Sequence, residues 1–230
     1  MKTELDLTKG GANMARRSFL RYAGTGAAAI AVMGAASCKK DHTVIVDGAV
    51  DIGNGDLGIL NYAYALEQLE AAFYLQVVAT PYSGISAAET AYLTDIRDHE
   101  VLHRDFFKAA LGTNAIQSLT PDFSTINFGD RTSVLNAAKL LEDTGVQAYD
   151  GAGYLIKDAN YLLIAGKIVS VEARHAALIG NLLGIGNYAS TDQVDPSTGL
   201  NKAASIAEVL SGANKFLKTK VTAPSYNYQP

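Results

Sequence analysis

The stretch VSVEARHAAL, residues 169–178, places a carboxylate and an imidazole in the middle of an otherwise apolar segment. In a helix, Glu172 and His175 lie three residues apart and therefore share one face. Burying a carboxylate on an apolar helix face is costly unless a partner compensates its charge. The pair therefore raises the question of which partners surround it.

The spacing Glu-x-x-His occurs a second time in DHEVLHRDFF, residues 98–107, at Glu100 and His103. One such pair alone is more often a surface pair on a helix than part of a site. Its meaning depends on where the neighbouring helices place both pairs.

Apolar residues recur at helical spacing through most of the chain after residue 55. Ser86 and Glu89 form a capping-box pattern, Gly112 is expected to end the second helix, and Asp56 is the expected N-cap of the first. The predicted helices cover about 56–79, 86–111, 131–157 and 160–183, with a shorter fifth helix near 202–217.

The lengths of the links predict how the helices connect. Short links, TPYSG after the first helix and a few residues around Asp158 and Asn160 after the third, give two antiparallel hairpins. The link of about eighteen residues between the hairpins can extend over about 55–60 Å, and a helix of about 26 residues spans only about 40 Å. The sequence therefore predicts an all-α four-helix bundle with one long crossover.

Acidic residues on the apolar faces of these helices lie at a common height. Glu67 and Glu100 are equidistant from the first short turn, and Glu142 and Glu172 are equidistant from the second. Facing residues of an antiparallel hairpin are about equidistant from its turn, so all four helices bring polar groups to one level. The predicted set is Glu67, Glu100, His103, Glu142, Glu172 and His175.

Four carboxylates and two neutral imidazoles can hold two divalent metal ions through bridging carboxylates. Hard oxygen ligands with some imidazole suit two Fe or two Mn ions, and the ligand types do not choose between them. Without cations, four buried carboxylates would be very costly. The alternative interpretation is a polar, metal-free remnant of such a site.

Two tyrosines follow two of these acidic residues at the same spacing. Tyr74 follows Glu67 by seven residues and Tyr149 follows Glu142 by seven, nearly two helical turns, so each is expected above its own glutamate. They are candidates for a hydrogen bond to a ligand or for redox activity, or they are core tyrosines.

Gly145, Gly151 and Gly153 are unusual in a helix; they either open space beside the metals or allow close packing.

Four further polar residues have two interpretations each. Glu70 is either a substitute ligand or a solvated flank, and His99 is either an outer group of the site or a flank histidine. Asp98 or Asp143 could orient a ligand histidine through its ring N–H, or be surface charges.

The first residues have the pattern of a cleaved export signal. Arg16 and Arg17 precede a short apolar run and resemble a twin-arginine signal, and AASC, ending at Cys38, resembles a lipobox. Ordinary cleavage nearby, with Cys38 removed or idle, is the alternative; either way, the mature protein is expected outside the cytoplasm, in the periplasm or cell envelope. The predicted divisions are an export signal (1–38), a tether (39–55), a metal-binding domain (56–220) and a tail (221–230).

Composition excludes several classes of protein. A hydrophobic content of 48% supports a sizeable core, and a net charge of −4 provides no basic surface for nucleic acid. One cysteine excludes an internal disulfide framework. The expected partners are a small-molecule oxidant or Fe(II), no nucleic acid, and a membrane only through a lipid on Cys38.

The residues quoted above resemble the ferritin-like superfamily of rubrerythrins, bacterioferritins and manganese catalases. ALEQLEAAFY with the later EARH is most similar to desiccation-related proteins and their exported bacterial relatives. The resemblance covers about 56–220 and implies a ferritin-like bundle whose six Glu and His side chains hold the metals.

The resemblance implies an oxidoreductase that reacts Fe(II) with O2 or peroxide, or that dismutates peroxide. It also leaves open a non-enzymatic envelope or stress protein with a structural or vestigial metal site. The export signal argues against an iron-storage shell, while a homo-oligomer of another kind stays open.

Overall fold

Two helix hairpins form the body of the protein. The computed structural model describes residues 48–185 and 189–230. The predicted all-α bundle of two hairpins joined by one long crossover, with a short C-terminal helix, is confirmed. The helices are α1 (Gly55–Ala79), α2 (Ala87–Leu111), α3 (Arg131–Ala152), α4 (Ala159–Leu182) and α5 (Ile206–Ala213).

The start and end of α2 follow the local sequence signals. The Ser86 side chain accepts from the Glu89 backbone N–H, and the Glu89 carboxylate accepts from the Ser86 backbone N–H, which is a complete capping box. Gly112 stops the helix with a positive φ of 54°, a conformation that glycine adopts without steric cost.

The expected N-cap of α1 was wrong. The helix begins at Gly55 and its N-cap is Asn54, whose side chain makes no capping bond. Asp56 instead accepts hydrogen bonds from the backbone N–H groups of Lys157 (2.9 Å) and Asp158 (2.8 Å). Its carboxylate thus ties the turn between α3 and α4 to the start of α1, a long-range contact that local sequence does not reveal.

The crossover between the hairpins is held by two buried amide side chains of α1. Asn61 donates to the carbonyl of Asn114 (3.0 Å) and accepts from the N–H of Ile116 (2.9 Å). Seven residues further along α1, Gln68 accepts from the N–H of Leu119 (2.8 Å). The crossover therefore runs alongside α1, and these amides satisfy its backbone in the interior.

The last turns of α3 and the region before α5 differ from the sequence prediction. The α-helix of α3 ends at Ala152, and a 3-10 turn, Gly153–Leu155, follows it. A Cβ at Gly151 would lie 1.9 Å from the carbonyl oxygen of Ala204, so glycine is needed where the segment before α5 crosses α3. In that segment the Ala204 N–H donates to the Gln147 carbonyl and Ser205 is extended, and α5 begins only at residue 206.

Residues on both sides of the helical domain pair with each other. Strand β1 (Val50–Asp51) runs parallel to β2 (Val221–Thr222), with Val50 opposite Val221 and both side chains buried. The domain boundaries predicted at residues 55 and 220 assign β1 to the tether and β2 to the tail. The pairing brings the end of the proposed tether and the start of the proposed tail together.

The predicted export signal, Cys38 and most of the proposed tether lie outside the described residues. Within the part of the chain that the structure describes, none of the helices is long and apolar enough to span a membrane.

Candidate metal centre

The six Glu and His side chains predicted from the sequence converge at the centre of the bundle. α1 and α3 contribute one glutamate each, and α2 and α4 contribute one Glu-x-x-His pair each. All four carboxylates are fully buried at 0% exposure, and the two histidines are at most 5% exposed. The residues are Glu67, Glu100, His103, Glu142, Glu172 and His175.

These side chains form two overlapping groups of four. Within each group, one potential donor atom per residue lies within 4.8 Å of all the others. Glu100 and Glu172 belong to both groups, as bridging carboxylates would. The first group adds Glu67 and His103, and the second adds Glu142 and His175.

The two groups are related by an approximate twofold arrangement. His103 Nδ1 lies 2.8 Å from Glu172 Oε1 and 3.4 Å from Glu67 Oε2. His175 Nδ1 lies 2.8 Å from Glu100 Oε1 and 3.4 Å from Glu142 Oε2. Each imidazole thus approaches the shared glutamate of the opposite hairpin most closely.

These short contacts are not hydrogen bonds. Among the described residues, both Nδ1 atoms lack a partner with hydrogen-bond geometry, and so do the carboxylate oxygens that face them on Glu67, Glu142, Glu100 and Glu172. Buried polar atoms in proteins are nearly always hydrogen-bonded, so a set of eight unpaired atoms needs a reason. Their lone pairs converge on two common regions, which is the geometry of a ligand set.

The outer oxygens of two glutamates are held by tyrosines of the opposing helix. Tyr74 donates to Glu142 Oε1 at 2.5 Å, and Tyr149 donates to Glu67 Oε1. Each tyrosine follows its own glutamate along one helix, as the spacing predicts, but its hydrogen bond goes to the glutamate of the other helix. Seven residues along one helix span about 10 Å, too far for a hydrogen bond, whereas the antiparallel neighbour brings its glutamate alongside.

The electrostatics of the cluster show the cost of its burial. Burial raises the pKa of Glu67 and Glu142 to about 8, although the nearby histidines oppose the shift. Burial lowers the pKa of His175, but the carboxylates, Glu142 foremost, outweigh it and raise the value to about 12. The pKa of His103 is raised well above its usual value by the same balance, with Glu67 foremost. The site therefore calls for positive charge, supplied by protons or by metal cations.

His99 lies against the outer side of His175. Its Nδ1 is 2.9 Å from His175 Nε2, and the two rings stack with centroids 5.2 Å apart. Burial, and then the proximity of His175, lower the pKa of His99. Of the two interpretations of His99, the structure supports the outer group, and its contact leaves His175 Nδ1 to face the cluster.

Glu70 lies one turn beyond Glu67 but outside both groups of four. It is 3% exposed, so the interpretation as a solvated flank was wrong. Burial raises the pKa of Glu70 well above its usual value, and the cluster carboxylates, Glu100 foremost, raise it further. Space for its carboxyl comes from Gly145, where a Cβ would lie 3.0 Å from Glu70 Oε1. Gly145 therefore opens space beside the cluster.

The two aspartates each form an ion pair with a basic side chain. Asp98 forms an ion pair with its neighbour Arg97 at 2.8 Å. Asp143 pairs with Lys139 and accepts from the Gln193 side chain. For Asp143 these contacts with described residues favour the interpretation as a surface charge. That Asp98 orients a ligand histidine stays a prediction. At Gly153, the nearest described atom to a Cβ would be Leu162 Cδ1 at 3.8 Å, an ordinary van der Waals contact, so this packing does not require glycine.

Comparison with known protein families agrees with the observed geometry of the bundle. The sequence model of the family described as "Ferritin-like domain" matches residues 55–185, which span α1 to the end of α4. No curated protein is significantly similar to the chain.

Proposed function

Because the chain belongs to the ferritin-like domain family, we propose that its buried cluster holds two iron or two manganese ions and carries out redox chemistry with O2, peroxide or Fe(II). The observation that carries the proposal is the set of buried Nδ1 and carboxylate oxygen atoms that form no hydrogen bond within the described part of the chain and face two common regions.

Charge and ligand type favour this cofactor. Four buried carboxylates carry four negative charges when ionised, and two divalent cations neutralise them. Carboxylate oxygens with one imidazole per group suit iron and manganese better than the softer metals that thiolates select. Bound metals would supply electron transfer to or from a dioxygen species, which the side chains alone do not provide.

The residues of the chain have distinct roles in this proposal. Glu100 and Glu172 would bridge the two ions, and the remaining four would each bind one of them. The tyrosine hydroxyls fix the outer oxygens of Glu67 and Glu142, which leaves the inner oxygens for the metals. His99 fixes the ring of His175 from outside, a contact of the kind that raises metal affinity.

The sequence of residues 16–38 supports a proposal about where the protein acts. Arg16, Arg17 and the short apolar run up to Cys38 support export of the folded, metal-loaded protein, with a lipid on Cys38 as an anchor in the cell envelope. This part of the proposal rests on the sequence alone, as does the similarity to the desiccation-related branch.

Metal analysis after expression in the native host tests the cofactor. We expect about two Fe or Mn per chain in the parent and a marked loss when Glu100 and His103 are both replaced by Ala. Less than about one metal per chain in the parent contradicts the proposal.

Turnover assays on the metal-loaded parent test the reaction. Release of O2 from peroxide indicates a catalase, and consumption of O2 with added Fe(II) indicates a ferroxidase. Metal without any turnover would instead support a non-enzymatic envelope or stress protein with a structural metal site. A large hollow oligomer in size-exclusion chromatography would support iron storage.

A further inference from the structure

A cavity lies between α1, α3 and the C-terminal helix α5. Its volume is about 110 Å³. At its outer side, Leu140 is 52% exposed and Lys215 is also exposed to solvent. At its inner side lies Glu70, which is almost completely buried. The cavity thus leads from the surface of the bundle to a buried carboxyl group.

The Glu70 carboxyl has no hydrogen-bond partner among the described residues. Buried carboxyl groups in native proteins are normally hydrogen-bonded, so this one has unused bonding capacity. It lies in the gap left by Gly145, where a side chain would come within 3.0 Å of Oε1. The glycine in α3 therefore leaves room for this carboxyl at the wall of the cavity.

None of the six cluster residues is among the described residues that line the cavity, but Glu70 and Gly145 in its wall lie one helical turn from two of them. Glu70 and Glu67 lie three residues apart on α1, and Gly145 and Glu142 lie three residues apart on α3, so each pair shares a helix face. The cluster carboxylates are close enough to Glu70 to act on it electrostatically. A molecule held by Glu70 would therefore be next to the ligand set.

The lining selects the kind of molecule. Apart from Glu70, the cavity is lined mainly by apolar side chains, and the Thr144 hydroxyl already donates to the Leu140 carbonyl at 2.6 Å. A hydrated divalent cation would lose its water to apolar walls and would meet the positive charge of Lys215 at the mouth. A small uncharged molecule that hydrogen-bonds meets neither obstacle.

We propose that this cavity is the entrance through which a small uncharged, hydrogen-bonding molecule of the size of hydrogen peroxide reaches the cluster, and that Glu70 binds it at the inner end. The inference rests on the proposed function, because it supplies the route for the oxidant of that same site.

The entrance is tested by filling it. Gly212 in α5 lines the cavity, and a Cβ there would meet no atom within 4 Å, so Gly212→Leu adds a side chain without a clash at its Cβ. Gly166→Leu in α4 is the matched control, since Gly166 is exposed, lies outside the cavity and also has no atom within 4 Å. Thr144→Leu fills the cavity from α3 and serves if Gly212→Leu does not fold.

The readouts are iron binding and the association rate of nitric oxide with the Fe(II)-loaded protein, followed by stopped-flow absorbance. Nitric oxide is small and uncharged, and its association does not require turnover. We expect Gly212→Leu to slow nitric oxide association by about tenfold at unchanged iron affinity, because nitric oxide can pass only when the leucine side chain moves aside. Gly166→Leu should have the association rate of the parent. A Gly212→Leu rate equal to that of the parent overturns the inference.

The role of Glu70 is tested by the difference between two probes. Glu70→Leu should slow oxidation of the loaded iron by hydrogen peroxide by about tenfold, the value of one hydrogen bond, and leave nitric oxide association unchanged. Glu70→Gln should retain most of the peroxide rate. Equal peroxide rates in all three proteins show that Glu70 does not bind the molecule. A parent that binds no iron contradicts the proposed function itself, and the entrance with it.

Discussion

The hydroxyl of Tyr74 in α1 donates a 2.5 Å hydrogen bond to Oε1 of Glu142 in α3. The reciprocal bond joins Tyr149 in α3 to Glu67 in α1. Residue numbers in the two pairs have the same sum, as an antiparallel pair of helices requires. The two bonds therefore lock α1 and α3 in register on either side of the cluster.

Replacement of Tyr74 tests this lock. Tyr74→Phe leaves Glu142 Oε1 buried without a donor, so we expect a loss of about 1–3 kcal/mol in the free energy of unfolding. Metal affinity should fall on the order of 10-fold to 100-fold, as for other residues that hold a metal ligand in place. Chemical denaturation and a competitive metal titration measure the two effects.

Tyr62→Phe is the matched control on the same helix. The Tyr62 hydroxyl is buried and has no hydrogen-bond partner in the described part of the chain. Its removal should leave metal affinity unchanged and should not lower stability, because no bond is lost. Equal losses in Tyr74→Phe and Tyr62→Phe would mean that the bond to Glu142 contributes nothing specific.

The shared and unshared glutamates should differ in how much metal they retain. Glu172 belongs to both groups of four, whereas Glu67 belongs only to the first. Replacing a carboxylate with an amide removes a charge and a strong ligand, so Glu172→Gln should lose both ions and Glu67→Gln should keep about one per chain. Elemental analysis of the two purified variants decides the matter, and identical metal contents would contradict the assignment of Glu172 as a bridge.

Much of this site was predictable because helical period and ligand spacing are local properties. The Glu-x-x-His pairs and the short links required only the distances along each helix, and they located all six clustered side chains. The partner of Tyr74 was not predictable in this way, because it depends on the offset between α1 and α3. The burial of Glu70 likewise depends on Gly145, which lies on another helix.

The stability of the metal-free protein should fall as the pH rises from about 5 to 8. Glu67 and Glu142 have pKa values raised to about 8 in the folded state, and that of His175 is raised to about 12. In this range the folded protein binds more protons than the unfolded chain, so the free energy of unfolding decreases with pH, by about 1.4 kcal/mol per pH unit for each extra proton.

Urea denaturation in the presence of a chelator measures this slope. Glu142→Gln removes one of the groups with a raised pKa and should give a shallower slope than the parent. With metal present the trend should reverse, because binding expels these protons and becomes tighter as the pH rises. A metal-free protein whose stability increases between pH 5 and 8 would contradict the charge balance inferred for the cluster.

The attachment of the crossover to α1 yields a prediction that is independent of metal. Asn61 is 6% exposed and contacts three backbone groups: the carbonyls of Ile52 and Asn114, and the N–H of Ile116. Asn61→Leu leaves these groups buried without their partner, so we expect a loss of about 2–4 kcal/mol in the free energy of unfolding. The exposed Asn136→Leu in α3 is the control and should change stability by less than about 0.5 kcal/mol. Denaturation curves of both variants test this, and hydrogen exchange at Ile116 should accelerate only in Asn61→Leu. Equal stability of the two variants would show that the crossover is held by its apolar contacts, with the Phe123 ring against Phe73, rather than by the amide.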